Sequence, residues 1–215
     1  MKLLDLFEAD EQNIDGILNT IDGDCSDMLE AYQHARKVLY RGSDSKRMLF
    51  SKKSIRQDRR PVEMDNDSHD LINKALASMK LPTRGNSLFV SADEEIARSW
   101  GTLNAVFVPN GWTGLVYDAI GKRDYSFDRL GAKAYDLRSD NRGMSEEDKV
   151  EEMAKTIKKL NPRAFTSPKD LSEVLTAGYG DILIHAPAYY RLNLDREFNQ
   201  VNQRIARELK IKLFG

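Results

Sequence analysis

Three polar residues in this 215-residue chain stand at the ends of short apolar runs, and their types suit work on a phosphorylated sugar. Arg41 follows Val38-Leu39-Tyr40, Ser91 follows Leu88-Phe89-Val90, and Asp181 precedes Ile182-Leu183-Ile184. An arginine holds a diphosphate with its forked donors. A hydroxyl orients that arginine or a ribose. A carboxylate accepts from a sugar hydroxyl and stabilises the positive charge that develops on the ring as a glycosidic bond breaks. If the three runs are neighbouring strands, the three residues line one cleft. Simpler roles compete with this one: Ser91 as a helix cap, and Asp181 as a turn residue.

The stretch Arg84–Gly101 is the best-defined frame for one of them. Gly85 and Asn86 introduce a strand over Ser87–Val90, and Ser91 falls where the N-cap of a following helix belongs. Asp93, Glu94 and Glu95 then meet the positive end of the helix dipole. Ile96, Ala97 and Trp100 form its inward face, and Gly101 stops it.

Bulk properties narrow the function classes. Lys+Arg of 33 against Asp+Glu of 34 gives a net charge of -1, so no global field draws the chain to nucleic acid or membrane. The single cysteine, Cys25, excludes an internal disulfide and most thiolate metal sites, and the three histidines are far apart in sequence; no metal centre is expected. The opening Met1–Glu8 carries acids where a signal peptide needs an unbroken apolar run, and no apolar stretch reaches membrane-spanning length. A soluble, cytoplasmic protein without membrane contact is expected.

The remaining elements follow from periodicity and punctuation. Residues 2–39 read as helical, beginning with Leu3, Leu4, Leu6 and Phe7, interrupted at Gly16 and Gly23, and resumed behind a cap at Ser26 or Asp27. A helix capped by Asn66 or Asp67 carries Leu71, Ile72, Ala75, Leu76 and Met79 on one face and ends by Pro82. Asn104–Val108 and Gly114–Tyr117 read as two strands paired through Pro109-Asn110-Gly111, and residues 118–144 as a long surface excursion. Ser145 opens one helix with a capping box; Ser167-Pro168 opens another, which Gly178 stops. A strand Ala188–Leu192 and a last helix from about Asp195, with Phe198, Val201, Ile205 and Leu209 inward, complete the chain. Short strands interleaved with helices around a compact sheet make the class α+β, with an N-terminal helical segment over 1–37 and the main domain over 38–215, the two forming one folded unit.

Residues 46–60 hold Lys46, Arg47, Lys52, Lys53, Arg56, Arg59 and Arg60 against one acid, Asp58. Such a run suits the phosphates of a cofactor or a nucleic acid, or is simply a solvated face.

Taken together, the three strand-end motifs resemble the ADP-ribosyltransferases of the Arg-Ser-Glu type, including those carried by bacteriophages. Leu39-Tyr40-Arg41-Gly42 is similar to the family's first motif. Phe89-Val90-Ser91 with Ala97 is similar to the second, with Ser91-Ala92-Asp93 where Ser-Thr-Ser is usual. Asp181–Ile184, a turn, and Tyr189-Tyr190-Arg191-Leu192 follow the layout of the third, with Asp181 in place of glutamate and Tyr179 where the family has Glu or Gln to help activate an acceptor. Glu173-Val174-Leu175 is a rival for the carboxylate motif, but its cap and stop put Glu173 inside a helix. Across residues 38–193 the resemblance implies an ADP-ribosyltransferase-like sheet core that cleaves NAD at the nicotinamide–ribose bond. Arg41, Ser91 and Asp181 would be its catalytic residues, and Tyr40, Arg41, Gly42, Ser91 and Tyr189 its NAD contacts. The acceptor would be a protein or nucleic acid, and a phage-encoded chain would act in the host cytoplasm. A non-catalytic binding protein on the same fold, using the basic segment on nucleic acid or a phage or host assembly, is the alternative.

Overall fold

The structure, a computed structural model, describes residues 3–44, 48–58, 64–118, 126–140, 143–195 and 198–213. Two helices lead: α1 (Leu3–Asp24) and α2 (Ser26–Ala35). Then come β1 (Leu39–Ser43), β2 (Phe50–Ser54), α3 (Asn66–Ser78), β3 (Leu88–Val90), α4 (Glu94–Ser99), β4 (Thr102–Phe107) and β5 (Thr113–Tyr117). The chain ends through α5 (Ser126–Ser139), α6 (Glu146–Lys159), β6 (Pro162–Phe165), α7 (Pro168–Ala177), β7 (Ile182–His185), β8 (Ala188–Asn193) and α8 (Asn199–Glu208). The class is α+β.

The strands form two antiparallel sheets of four, ordered β1-β4-β8-β2 and β3-β7-β5-β6. In the second sheet alternate side chains serve two cores, because successive residues of a strand point to opposite faces. Leu88, Val90, Ile182, Ile184, Val116 and Phe165 join the first sheet, α2 and α7 in the larger core. Leu183, Leu115 and Tyr117 face the other way, onto α3, α5 and α6. Ile14, Ile17 and Ile21 of α1 lie in the larger core, and the Tyr32 hydroxyl of α2 donates to the Val106 carbonyl of β4, so the leading helices share the main apolar core.

Several expectations need correction. Helix α1 runs unbroken through Gly16 and Gly23, both of which face open space. Each glycine costs about 1 kcal/mol against alanine, and burial of the isoleucines on the opposite face offsets it. Cys25, not Ser26 or Asp27, is the N-cap of α2, and Asp65 caps α3 by accepting from the Ser68 N–H. The side chains of Leu3, Leu4, Leu6 and Phe7 lie outside the described residues. Strands β4 and β5 do not form a hairpin: β1 and β8 already occupy both edges of β4, so the chain crosses to the other sheet, with Trp112 buried edge-on against Phe165 at 5.8 Å between centroids.

Within 118–144 the described residues 126–139 are no surface excursion. They form α5, which buries Leu130, Ala134 and Leu137 at helical spacing against the second core. Two strands went unread: β2 inside the basic segment, and β6, an edge strand that opens on Pro162, a position that tolerates proline's missing N–H. The last helix starts later than expected, at Asn199, with Phe198 half-buried at its N-cap. Ser145 and Ser167 cap α6 and α7 through the N–H groups of Asp148 and Asp170, and Gly178 ends α7 in the left-handed region at φ 75°.

Candidate functional site

Among the described residues, one isolated backbone bridge joins the two sheets. Tyr40 N donates to the Ser91 carbonyl at 2.7 Å, and Ser91 N donates to the Tyr40 carbonyl at 2.9 Å. On the far side of β3, Val90 pairs with Ile182. Arg41, Ser91 and Asp181 therefore gather at one corner: Arg41 follows the bridged Tyr40, and Asp181 precedes the residue paired with Val90. Ala92 N donates to the Tyr179 carbonyl at 2.9 Å and ties the turn before Asp181 to the same corner.

Ser91 is not the cap of α4. It is still extended and bridged to Tyr40, so the helix cannot begin there. Asp93 is the N-cap, its carboxylate accepting from Glu95 N at 2.9 Å and Ile96 N at 3.2 Å. The Ser91 hydroxyl accepts from Asp93 N at 2.9 Å and is fully buried. Arg41 is gripped by another group than the serine: its Nη1 donates to the Phe89 carbonyl at 2.6 Å.

Arg41 lies mid-strand in β1, not at its end, and β1 has two unlike faces. Tyr40 and Gly42 point away from Arg41. The Tyr40 hydroxyl donates to the Leu213 carbonyl at 3.1 Å, placing that ring in the core by the C-terminal segment. A Cβ on Gly42 would come within 2.4 Å of the Trp100 carbonyl carbon, so the glycine there is required by the close approach of α4. Neither residue is on the arginine's side of the sheet.

The arginine's side of the first sheet carries a polar cluster beside the buried apolar Leu39 and Val106. Arg41 is opposite Asn104, Asn104 opposite Asn193, and Arg191 opposite Ser51, with Tyr189 opposite Lys53. Arg191, 7% exposed, donates from Nε to the Ser51 hydroxyl at 2.8 Å and from Nη1 to the Ser43 hydroxyl at 3.2 Å, reaching across β4 to do so. Asn104 Nδ2 donates to the same Ser43 hydroxyl at 3.0 Å and to the Thr102 carbonyl at 2.7 Å. Burial holds the Arg41 guanidinium below its usual range; the neighbouring Tyr189 hydroxyl opposes that, and the nearby charge of Arg191 reinforces it. Among the described residues no carboxylate pairs with either arginine.

Asp181 is half-buried and near Tyr117, whose phenol is pushed up by burial, opposed by the charge of Arg84 and raised further by the Asp181 carboxylate. Tyr179 turns its side chain away, donating to Asp118 at the end of β5. Burial, then that carboxylate, push its hydroxyl's pKa up, with Arg163 opposing. Arg163 in turn contacts Asp118 at 3.4 Å and Glu173 at 3.6 Å. The rival Glu173 is thus exposed, inside α7, and beside the edge strand β6, whereas β3 is the opposite edge of that sheet.

Sequence reasoning missed Arg191, Ser43, Ser51 and Asn104 as companions of Arg41. The available clue was the alternation of β8: Arg191 stands two residues from Tyr189, on the same face, in a strand otherwise rich in apolar and aromatic residues. Among the described residues no group of three or more His, Cys, Asp or Glu side chains could hold a metal ion, and no described helix is long and apolar enough to cross a membrane. No family model, curated protein or solved structure matches this chain.

Proposed function

We propose that the chain is an NAD-dependent ADP-ribosyltransferase-like enzyme that cleaves the nicotinamide–ribose bond at the corner where the two sheets meet. The observation that carries this reading is the gathering of Arg41, Ser91 and Asp181 around the Tyr40–Ser91 bridge and the Val90–Ile182 pair. In it, Arg41, held by the Phe89 carbonyl and free of any described carboxylate, takes the NAD diphosphate. Tyr189, beside the guanidinium, contributes an aromatic wall. Ser91, its buried hydroxyl accepting from Asp93 N, holds the turn beside the nicotinamide ribose, and Asp181 accepts from the ribose 2′-hydroxyl, stabilising the oxocarbenium-like centre as nicotinamide departs. Water or an acceptor group then attacks that centre. Tyr179 occupies the position the family uses to activate an acceptor side chain, and its hydroxyl is engaged by Asp118, which favours an acceptor other than a protein arginine or asparagine.

Nicotinamide release from NAD, compared between wild type and Arg41→Ala, tests the reading. Release by wild type and its loss in the variant support it; equal release in both removes Arg41 from the site. Binding without turnover is tested separately. NAD at about 100 times its dissociation constant adds roughly 2.7 kcal/mol to native stability, visible as a raised melting temperature. A raised melting temperature with no nicotinamide release would favour a non-catalytic binding protein on this fold.

A further inference from the structure

Arg191 is the least expected side chain on the polar face. A guanidinium buried without a counter-charge is costly, because burial strips its water and neutral hydroxyls return only part of the lost interaction. Its described partners are the Ser51 and Ser43 hydroxyls and no carboxylate. A second arginine, Arg41, stands on the same face of the sheet, in the strand β1 whose Ser43 accepts from Arg191. Two like charges on one face, neither paired with a described carboxylate, leave an electrostatic demand that an anion satisfies.

We propose that Arg41 and Arg191 together form a two-guanidinium anion site on the β1-β4-β8 face, built for a ligand with two linked phosphates, and that Arg191 is its second phosphate-binding residue. The hydroxyls of Ser43 and Ser51, on β1 and β2, hold the Arg191 fork from two sides, so its orientation is set before any ligand arrives. Asn104 fixes Ser43 in turn by donating to the same oxygen, which leaves the serine's own hydrogen to donate elsewhere. Arg41 is fixed independently, by a β3 carbonyl of the other sheet. The two forks are therefore anchored to different elements, an arrangement that spans a diphosphate better than a single phosphate. Lys53, exposed on the same face opposite Tyr189, adds positive charge at the rim. For the identity of the natural ligand this inference rests on the NAD reading; for the anion site it rests on the arginines alone.

The test uses the full chain with inorganic pyrophosphate and orthophosphate as probes, read by thermal shift and titration calorimetry. Wild type should bind pyrophosphate more tightly than orthophosphate. Arg191→Gln should weaken pyrophosphate roughly tenfold or more, as expected for losing a charge-assisted hydrogen-bonded contact. Lys155→Ala, which removes an exposed cation from α6, should leave the affinity unchanged. Should Arg191→Gln not fold, Arg191→Lys decides the matter: it keeps the charge and loses the fork, so wild-type affinity in that variant overturns the proposal. No pyrophosphate binding by wild type, or equal binding by Arg191→Gln, also overturns it. Nicotinamide release measured on the same proteins separates the two readings. Arginine-dependent pyrophosphate binding without release keeps the anion site and removes the NAD enzyme; release that survives Arg191→Gln unchanged does the reverse.

Discussion

Tyr40 and Ser91 exchange both of their backbone hydrogen bonds, at 2.7 and 2.9 Å, and that exchange is the described bridge between the two sheets. It separates two roles of Ser91. The backbone joins the sheets, while the hydroxyl supports the turn into α4 by accepting from Asp93 N. Ser91→Ala keeps the bridge and removes the acceptor, so urea unfolding should show a loss of about 1 kcal/mol. Pyrophosphate affinity should be unchanged, because the Phe89 carbonyl and not the serine holds Arg41. Nicotinamide release from NAD should fall. If pyrophosphate affinity fell with it, the serine would be acting on the arginine after all.

Gly42 gives a cleaner stability prediction. Its Cβ position is within 2.4 Å of the Trp100 carbonyl carbon and 2.5 Å of the Ala97 carbonyl oxygen, both backbone atoms that cannot rotate aside. Gly42→Ala must push α4 off β1, and should cost about 1–3 kcal/mol or more by denaturant unfolding. A neutral result would mean that α4 is not seated on β1 as the structure has it.

What could be read from the sequence was what is decided locally. The caps at Ser145 and Ser167, the stop at Gly178 and the entry of Asp181 into β7 depend on a few adjacent residues, and each was legible. Pairing choices were not. The turn Pro109-Asn110-Gly111 suggested a hairpin, but whether β5 joins β4 depends on β1 and β8, which come from distant parts of the chain. Gly131 disguised α5; a Cβ there would meet the Met64 methyl carbon at 2.6 Å, the movable end of a flexible side chain, so the helix is set by its buried face and not by the glycine. The charges of Lys52 and Lys53 hid β2, whose Phe50 stacks on Tyr190 at 5.4 Å between centroids. The same limit applies to the candidate site. Ser91 and Asp181 each stand at a recognisable strand boundary and Arg41 follows a legible apolar run, although β1 continues past it, whereas Arg191 acquires its neighbours only through register across β4.

Cys25 sets a pH dependence. Burial, reinforced by the Asp24 carboxylate and opposed by Lys52, pushes its thiol from the ordinary 9.0 up to about 12. A raised folded-state pKa means the native protein keeps the proton more tightly than the unfolded chain. The associated stability is fully present below pH 9.0 and is lost as pH rises from 9.0 towards about 12. Buried tyrosines such as Tyr32 and Tyr40 titrate in the same direction, so the contribution of Cys25 is read as the difference between wild type and Cys25→Ala. Wild type should lose stability relative to the variant across that range. At about pH 8 the native thiol should resist iodoacetamide and react once the protein is unfolded, because the thiolate is the reactive form. Rapid labelling of the native protein would contradict the burial of the α1–α2 junction.

The basic segment should bind nucleic acid far less strongly than its charge count suggests. Lys52 and Lys53 are successive residues of β2 and therefore project to opposite faces. Lys52 lies over the Tyr190 ring, 5.0 Å from its centroid, while Lys53 shares the face of Tyr189 and Arg191. Arg56 lies beyond the end of the strand, and Lys46, Arg47, Arg59 and Arg60 lie outside the described residues. A single strand of DNA laid on either face would meet one of the two lysines. Each phosphate contact contributes about 0.7 to the slope of log affinity against log salt for single strands. Replacing Lys52, Lys53 and Arg56 with alanine should thus flatten that slope by about one to two contacts' worth, that of one lysine with or without Arg56, not three, in fluorescence-anisotropy titrations over a salt series. A change near three contacts would mean the segment leaves β2 to bind. With nicotinamide release intact in the same variant, that result would make nucleic acid the acceptor to test first.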